Sequence, residues 1–341
     1  MSPMRIVSSS RSRRTSEVGD AAREIEALGY DGVQHPDLQH HPFLPCALAA
    51  EATKTIGIGT SVAIAFARSP MDTAMAAWDI QELSGGRFTL GLGTQVKAHI
   101  VRRFSGTWAS PAARMREYVR ALRSIWDCFQ NGSKLDVRGE HYNFSLMTPY
   151  FNPGPIEHPH IPVYVAAVGP LMSRVAGEVC DGLAWHTFHT VKYLREVVVP
   201  NARAGAEKAG RDPASLQFSG SCYYVTGDSD EELERGRQET RTNIAFYGST
   251  PAYHGVLAAH GWNDLGEKLH LMSREGKWDA MGDEITEEML DEFVVTERYD
   301  KIARAIKARY GSLASGFNFS SRIDTGKDRD AVAAIVRELK S

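Results

Sequence analysis

Residues 55–95 read TIGIGTSVAIAFARSPMDTAMAAWDIQELSGGRFTLGLGTQ, and this run holds a strand, a turn, a helix, a second turn and a second strand. Ile56, Ile58, Val62 and Ile64 are β-branched residues set among small ones, which suits a strand packed on both faces. Arg68-Ser69-Pro70 stops that strand. Ser69 is placed to cap a helix, and Pro70 falls at the first helical position, where a missing N–H costs nothing. Met71, Ala74, Met75, Trp78 and Leu83 then recur near helical spacing as far as Ser84-Gly85-Gly86. Those glycines tolerate the left-handed conformation of a C-terminal cap. Arg87-Phe88-Thr89-Leu90-Gly91-Leu92-Gly93 starts the next strand at once. A unit this tight is a right-handed crossover between parallel strands.

The same alternation extends in both directions. Strands are expected at 5–9, 31–35, 56–65, 87–92, 162–167, 182–186, 216–226 and 315–320. Helices are expected near 15–28, 43–53, 70–84, 111–130, 170–179, 190–209, 229–246, 297–309 and 328–339. Eight strands, each followed by a helix, predict a (β/α)8 TIM barrel as a single α/β domain over residues 1–341. An open doubly wound sheet is the alternative, but GIGTSV and GLGTQV lack the third glycine of a dinucleotide fingerprint. Two insertions interrupt the pattern. Residues 131–161 alternate around Gly139 like a hairpin and continue into a proline-rich loop, and 248–292 carry helical periodicity that reads as a lid over the barrel mouth.

Composition narrows the functional classes. Of 341 residues 43% are hydrophobic, enough for a large core, and the net charge of −3 gives no basic field for nucleic acid. No apolar run is long enough for a membrane span. The start, MSPMRIVSSSRSRRTSEV, is basic and serine-rich, yet it reads as a first strand, a basic loop and a helix without a signal-peptide core, so a cytoplasmic protein is expected. Cys46, Cys128, Cys180 and Cys222 lie far apart with no CxxC spacing, as buried thiols rather than a disulfide or zinc framework.

In such a barrel the ligand-contacting residues follow the C-terminal ends of the strands. The loop after the second strand, Gln34-His35-Pro36-Asp37-Leu38-Gln39-His40-His41, is the most polar of these. His40-His41, His158/His160 and His186/His189 invite a metal reading, but none has the Cys or Glu spacing of a known site, and no metal is expected. Ala167-Val168-Gly169-Pro170 brings bare backbone to the start of a helix. Free N–H groups and the helix dipole favour an anion there, although an ordinary turn would look the same.

Taken together, ArgSerPro, AWDIQELSGGR, FTLGLGTQ, GYDGVQHPD, HPFLPCALAAE, PIEHPHIPVYVAAVGP and AGEVCDGL resemble the bacterial luciferase-like monooxygenase superfamily. They are closest to its branch of coenzyme F420-dependent oxidoreductases. The resemblance implies a deazaflavin site in which a non-proline cis peptide, matched here by Ser61-Val62, forms a bulge behind the ring. It places Asp37 near the ring, unless that residue is only a salt bridge or loop cap, and makes His40 the proton-donor candidate. Thr94 and Gln95 become ring-edge contacts, and Ala167 to Pro170 the phosphate site. Lys97, Arg102, Arg103 and Arg68 could meet the acidic tail of the cofactor. Val96 and Leu38 stand where the family's sugar-phosphate dehydrogenases carry a glutamate and a histidine, so that substrate is not implied. The expected activity is hydride transfer between C5 of F420 and a small organic substrate, in a homodimer. An FMN-dependent monooxygenase, fed by a cofactor-reducing enzyme, is one alternative. A non-catalytic flavin-binding protein is another, which the histidine-rich loop argues against.

Overall fold

The computed structural model describes residues 3–10, 14–320 and 326–341. Eight parallel strands close into a barrel: β1 (Arg5–Ser9), β2 (Gly32–His35), β3 (Gly57–Thr60, resuming at Ala63–Ile64), β4 (Phe88–Gly93), β5 (Val163–Ala167), β6 (Gly182–Trp185), β7 (Gln217–Gly220) and β8 (Gly316–Asn318). Closure comes from β8 pairing with β1, with Ile6 opposite Phe317. The unit at 55–95 forms as expected. Ser69 Oγ accepts from Met71 N at 3.2 Å, Pro70 opens the helix Pro70–Leu83, and Gly85 and Gly86 take φ of 61° and 86°. The expected apolar stripe of that helix shifts, however. Ala74, Ala77, Trp78 and Ile80 are buried, whereas Met75 and Leu83 are exposed.

Alternation along the strands decides where the core lies. Ile6, Val33, Ile58, Leu90, Leu92, Val163, Val165 and Phe317 are almost fully buried, and they form the layer between the sheet and its helices. Most of the intervening residues that face the barrel interior are small, among them Gly32, Gly57, Gly59, Gly91, Ser219 and Gly316, with Val7 and Tyr164 as larger exceptions. A barrel of this type usually fills its interior with layers of branched side chains. Here the interior stays hollow, as a cavity of about 820 Å³.

Four elements depart from the expected pattern. The strand expected over 216–226 splits at Gly220, and Tyr223–Gly227 leaves the barrel to pair in parallel with Val294–Arg298. The helix expected from 297 therefore starts at Ile302. The helix expected over 190–209 passes through a π-helical turn at Leu194–Val198, because Pro200 lacks the N–H that would continue the ladder. A short helix, Lys97–Arg102, follows β4 where a loop is expected. The first insertion holds the hairpin Val137–Arg138 with Asn143–Phe144, its turn fixed by Glu117, whose carboxylate accepts from the N–H groups of Glu140, His141 and Tyr142. The second holds the helices His254–Ala258, Asn263–Arg274 and Glu287–Phe293. Residues 11–13 of the basic loop lie outside the described residues. Among the described residues no helix is long and apolar enough to cross a membrane, and the four cysteines are buried and free.

Candidate functional site

The cavity reaches the C-terminal ends of β1, β2, β3, β7 and β8, so its wall begins with the corner in β3. The Ser61–Val62 peptide bond is cis, at the expected place, and both residues line the cavity. Room for this corner comes from β4. A Cβ added to Gly91 would sit 2.1 Å from Thr60 O, and one added to Gly93 would sit 2.5 Å from a Val62 methyl. Only glycine at both positions lets β4 lie alongside the corner.

Asp37 braces the corner from behind. Its N–H donates to Val62 O at 3.3 Å, and its Oδ2 accepts from Ile64 N at 3.0 Å and from Arg68 Nη1 at 2.6 Å. Arg68 Nη1 also donates to Ile64 O at 3.0 Å. The two side chains are only 5% and 9% exposed. The salt-bridge role left open for Asp37 is therefore formed, and Arg68 leaves the set of basic residues offered to an acidic tail because it points inward. Lys97, Arg102 and Arg103 are exposed, and Arg103 Nη2 ties the 97–102 helix to Leu38 O at 2.6 Å. His40 is exposed on the loop ahead of helix Phe43–Ala52.

The remaining expected positions lie outside the wall of this cavity. Gln95 adopts φ of +60°, and its Oε1 accepts from Val96 N at 2.9 Å, while Thr94 Oγ1 donates to Gln95 O at 2.9 Å. Both side chains thus hold the shape of their own loop. Ala167 is buried at the end of β5, and Val168 and Gly169 are half-buried. Gly169 caps helix Pro170–Val179 without a side-chain hydrogen bond, and a Cβ added there would meet nothing within 4 Å. An uncapped helix start beside empty space fits a phosphate or another anion.

Several cavity residues carry no signal in a linear reading. Asn318 Nδ2 donates to Ser9 Oγ at 2.8 Å and to Gln34 Oε1 at 3.1 Å. Ser320 Oγ donates to Asn318 Oδ1 at 2.6 Å and accepts from Ser9 N at 2.7 Å. This network joins β1, β2 and β8 into one polar wall. Its only sequence trace is a polar residue at alternate positions of short strands. Glu239, Thr240 and Asn243 of helix Asp230–Gly248 complete the lining. On another face of that helix Arg237 bonds Asp291 at 2.9 Å and Arg241 bonds Glu287. The 248–292 insertion is thereby anchored behind the helix that lines the cavity.

The buried histidines His35, His186 and His189 are neutral groups. Burial lowers His35 and His186 to about 4 and His189 to about 3. His186 Nδ1 accepts from Phe188 N at 3.0 Å, which puts the proton of the neutral ring on Nε2. Among the described residues no three His, Cys, Asp or Glu side chains converge as metal ligands.

A closed parallel barrel with a hollow polar centre and a braced corner at its C-terminal end defines a barrel enzyme. The chain belongs to the luciferase-like monooxygenase family, whose model matches residues 2–316. It is similar to an uncharacterized protein of Mycobacterium tuberculosis, 47% identical over 294 residues and 86% of each chain. It is also 31% identical over 266 residues to the 5,10-methylenetetrahydromethanopterin reductase of Archaeoglobus fulgidus, covering 76% of this chain and 75% of the reductase. The solved structure of the coenzyme F420-dependent tetrahydromethanopterin reductase of Methanopyrus kandleri shares the fold. Its TM-score is 0.76 at 18% identity, over 99% of this chain and 98% of that one.

Proposed function

We propose that this protein is a coenzyme F420-dependent oxidoreductase acting on a small organic molecule in the barrel cavity. The observation that carries the reading is the Ser61–Val62 corner. It forms part of the cavity wall, β4 yields to it through Gly91 and Gly93, and Asp37 with Arg68 braces it from behind. Such a wall offers a rigid backing for a flat ring system. The similarity to relatives named as F420-dependent, one of them 36% identical over 251 residues, supports the same assignment. Bound F420 would supply hydride chemistry at C5 of its deazaflavin. Asp37 is then a positioning residue that acts on the ring through the corner. The helix start at Gly169-Pro170, with Ala167 and Val168 leading into it, would hold the cofactor phosphate. Thr94 and Gln95 shape the loop at the ring edge, and His40 is the proton donor we assign, from its exposed place on the loop after β2.

Titrating the purified protein with F420 and with FMN, followed by cofactor fluorescence, tests this reading. Saturable F420 binding without FMN binding is expected. Tight FMN binding without F420 binding would make the protein a flavin monooxygenase instead. We infer a homodimer as well: Leu44, Leu48 and Met75 are 61%, 43% and 52% exposed on the packed helices Phe43–Ala52 and Pro70–Leu83, an apolar face that a second copy would cover.

A further inference from the structure

The polar wall of the cavity has a direction built into it. Ser9 N donates to Ser320 Oγ at 2.7 Å, and a backbone N–H can only donate. The proton of Ser320 then goes to Asn318 Oδ1 at 2.6 Å, a distance usual for O–H···O and short for N–H···O. That turns Asn318 Nδ2 the other way, where it donates to Ser9 Oγ at 2.8 Å and to Gln34 Oε1 at 3.1 Å. The oxygen of the Gln34 carboxamide is thereby taken. Its Nε2 carries two N–H donors and has no partner among the described residues, and Gln34 lines the cavity.

The place of those donors says what they meet. Gln34 pairs in register with Gly59, and a Cβ added to Gly59 would lie 3.8 Å from Gln34 Cγ. The glutamine therefore lies beside a residue of β3 that has no side chain to cover it. Ser61 follows two positions on, about 7 Å further along the chain, and opens the cis corner. A flat ring laid on that corner brings one edge to Gln34. That edge has to offer an acceptor, because Asn318 holds Oε1 and only N–H groups of Gln34 remain. The pyrimidinedione ring that deazaflavins and flavins share presents two carbonyl oxygens separated by a ring N–H. Gln34 suits one of those oxygens and not the N–H between them.

We propose that Gln34 is a binding residue of this cavity, donating Nε2–H to a pyrimidinedione carbonyl oxygen, and that Asn318 is the positioning residue that decides which end of the carboxamide is offered. The inference rests on the function proposed above only in that a ring of this class enters the cavity. It adds the edge of the ring that is read and the residues that read it.

The test titrates the purified protein with F420 and, separately, with FMN, and records infrared difference spectra of each bound form. A carbonyl stretch of the bound ring should lie lower in the wild type than in the free cofactor, because an accepted hydrogen bond weakens the C=O bond. Gln34→Met keeps the length of the side chain without its donors, and Asn318 keeps its bonds to Ser9 and Ser320, so the fold is retained. Affinity should fall roughly tenfold in this variant, the equivalent of one hydrogen bond, and the band should return toward its free position. Asn318→Asp presents only acceptors, so Gln34 has to turn Nε2 toward it and its oxygen toward the ligand. The band should return there too, with Gln34 still in place; a merely structural role for Asn318 would leave it at the wild-type position. FMN binding in place of F420, with its band moved by both variants, would remove the deazaflavin assignment and leave this inference standing. Equal affinity of Gln34→Met and the wild type, a carbonyl band that the variants do not move, or no binding of either cofactor would overturn it.

Discussion

Replacing Asp37 by alanine tests the brace behind the cavity corner. Asp37 and Arg68 are 5% and 9% exposed, and the carboxylate is the guanidinium's charged partner at 2.6 Å. Removing it leaves a buried arginine uncompensated and the N–H of Ile64 without its acceptor at 3.0 Å. Breaking a buried pair in this way costs about 3–5 kcal/mol. An unfolding entropy of about 2.1 cal/mol/K per residue across 341 residues converts that loss to a fall in Tm of roughly 4–7 °C. The double variant Asp37→Ala/Arg68→Met removes the stranded charge and should regain most of the stability, since apolar replacement of a buried pair is often neutral. It would still lack the bonds that fix Ile64, so F420 binding should remain weak in both variants. Scanning calorimetry with F420 titration reads both quantities. A fall below about 1 kcal/mol in the single variant, or a double variant no more stable than the single, would refute the bracing role.

Three further outcomes follow from local geometry. Unfolded histidines protonate near 6.5, whereas His35 and His186 do so at about 4 and His189 at about 3 in the folded chain. Stability is therefore complete above pH 6.5 and falls by about 1.4 kcal/mol per pH unit for each of these residues as pH drops toward the folded values; urea unfolding at pH 7.5, 6 and 5 checks this, and a flat profile contradicts it. Gly91→Ala drives a methyl to 2.1 Å from the backbone oxygen of Thr60 and should cost about 1–3 kcal/mol or more, while Gly169→Ala, with nothing within 4 Å, should leave Tm unchanged. Leu48→Glu places a charge on the exposed apolar face of helix Phe43–Ala52, so light scattering should report a shift from dimer to monomer, and an unchanged mass would remove that interface.

The barrel was legible because its signals are local. Ser69-Pro70 and Gly85-Gly86 bracket one helix through caps that depend on neighbouring residues alone. Buried strand faces such as Phe88, Leu90 and Leu92 announce themselves by alternation. The cavity left a fainter trace. Gly57 with Gly59, and Gly91 with Gly93, recur at the spacing of one strand face, which signals an interior without side chains, but a strand-breaking glycine looks the same in one dimension. The break after Gly220 was hidden for a related reason: Tyr223–Gly227 has strand composition and is a strand, but its partner is Val294–Arg298, some seventy residues on, and pairing partners are not local information.

The polar side chains separate along the same line. Asp37 stood out as an acidic residue in a polar loop, but its partner Arg68 lies 31 positions away, so charge alone could not distinguish a ring contact from a brace. Tyr223 and Tyr224 are identical as residue types and adjacent in the chain. What distinguishes them is Ser320, 96 positions further on, whose N–H occupies the hydroxyl of one and not the other. The cost of an unmet hydrogen bond is set by three-dimensional surroundings, not by residue type. Along the polar wall, Ser9 and Gln34 both accept from Asn318. The unmet hydroxyl of Tyr223 therefore stands beside a wall that already satisfies Asn318, and no residue type in the chain distinguishes the two cases.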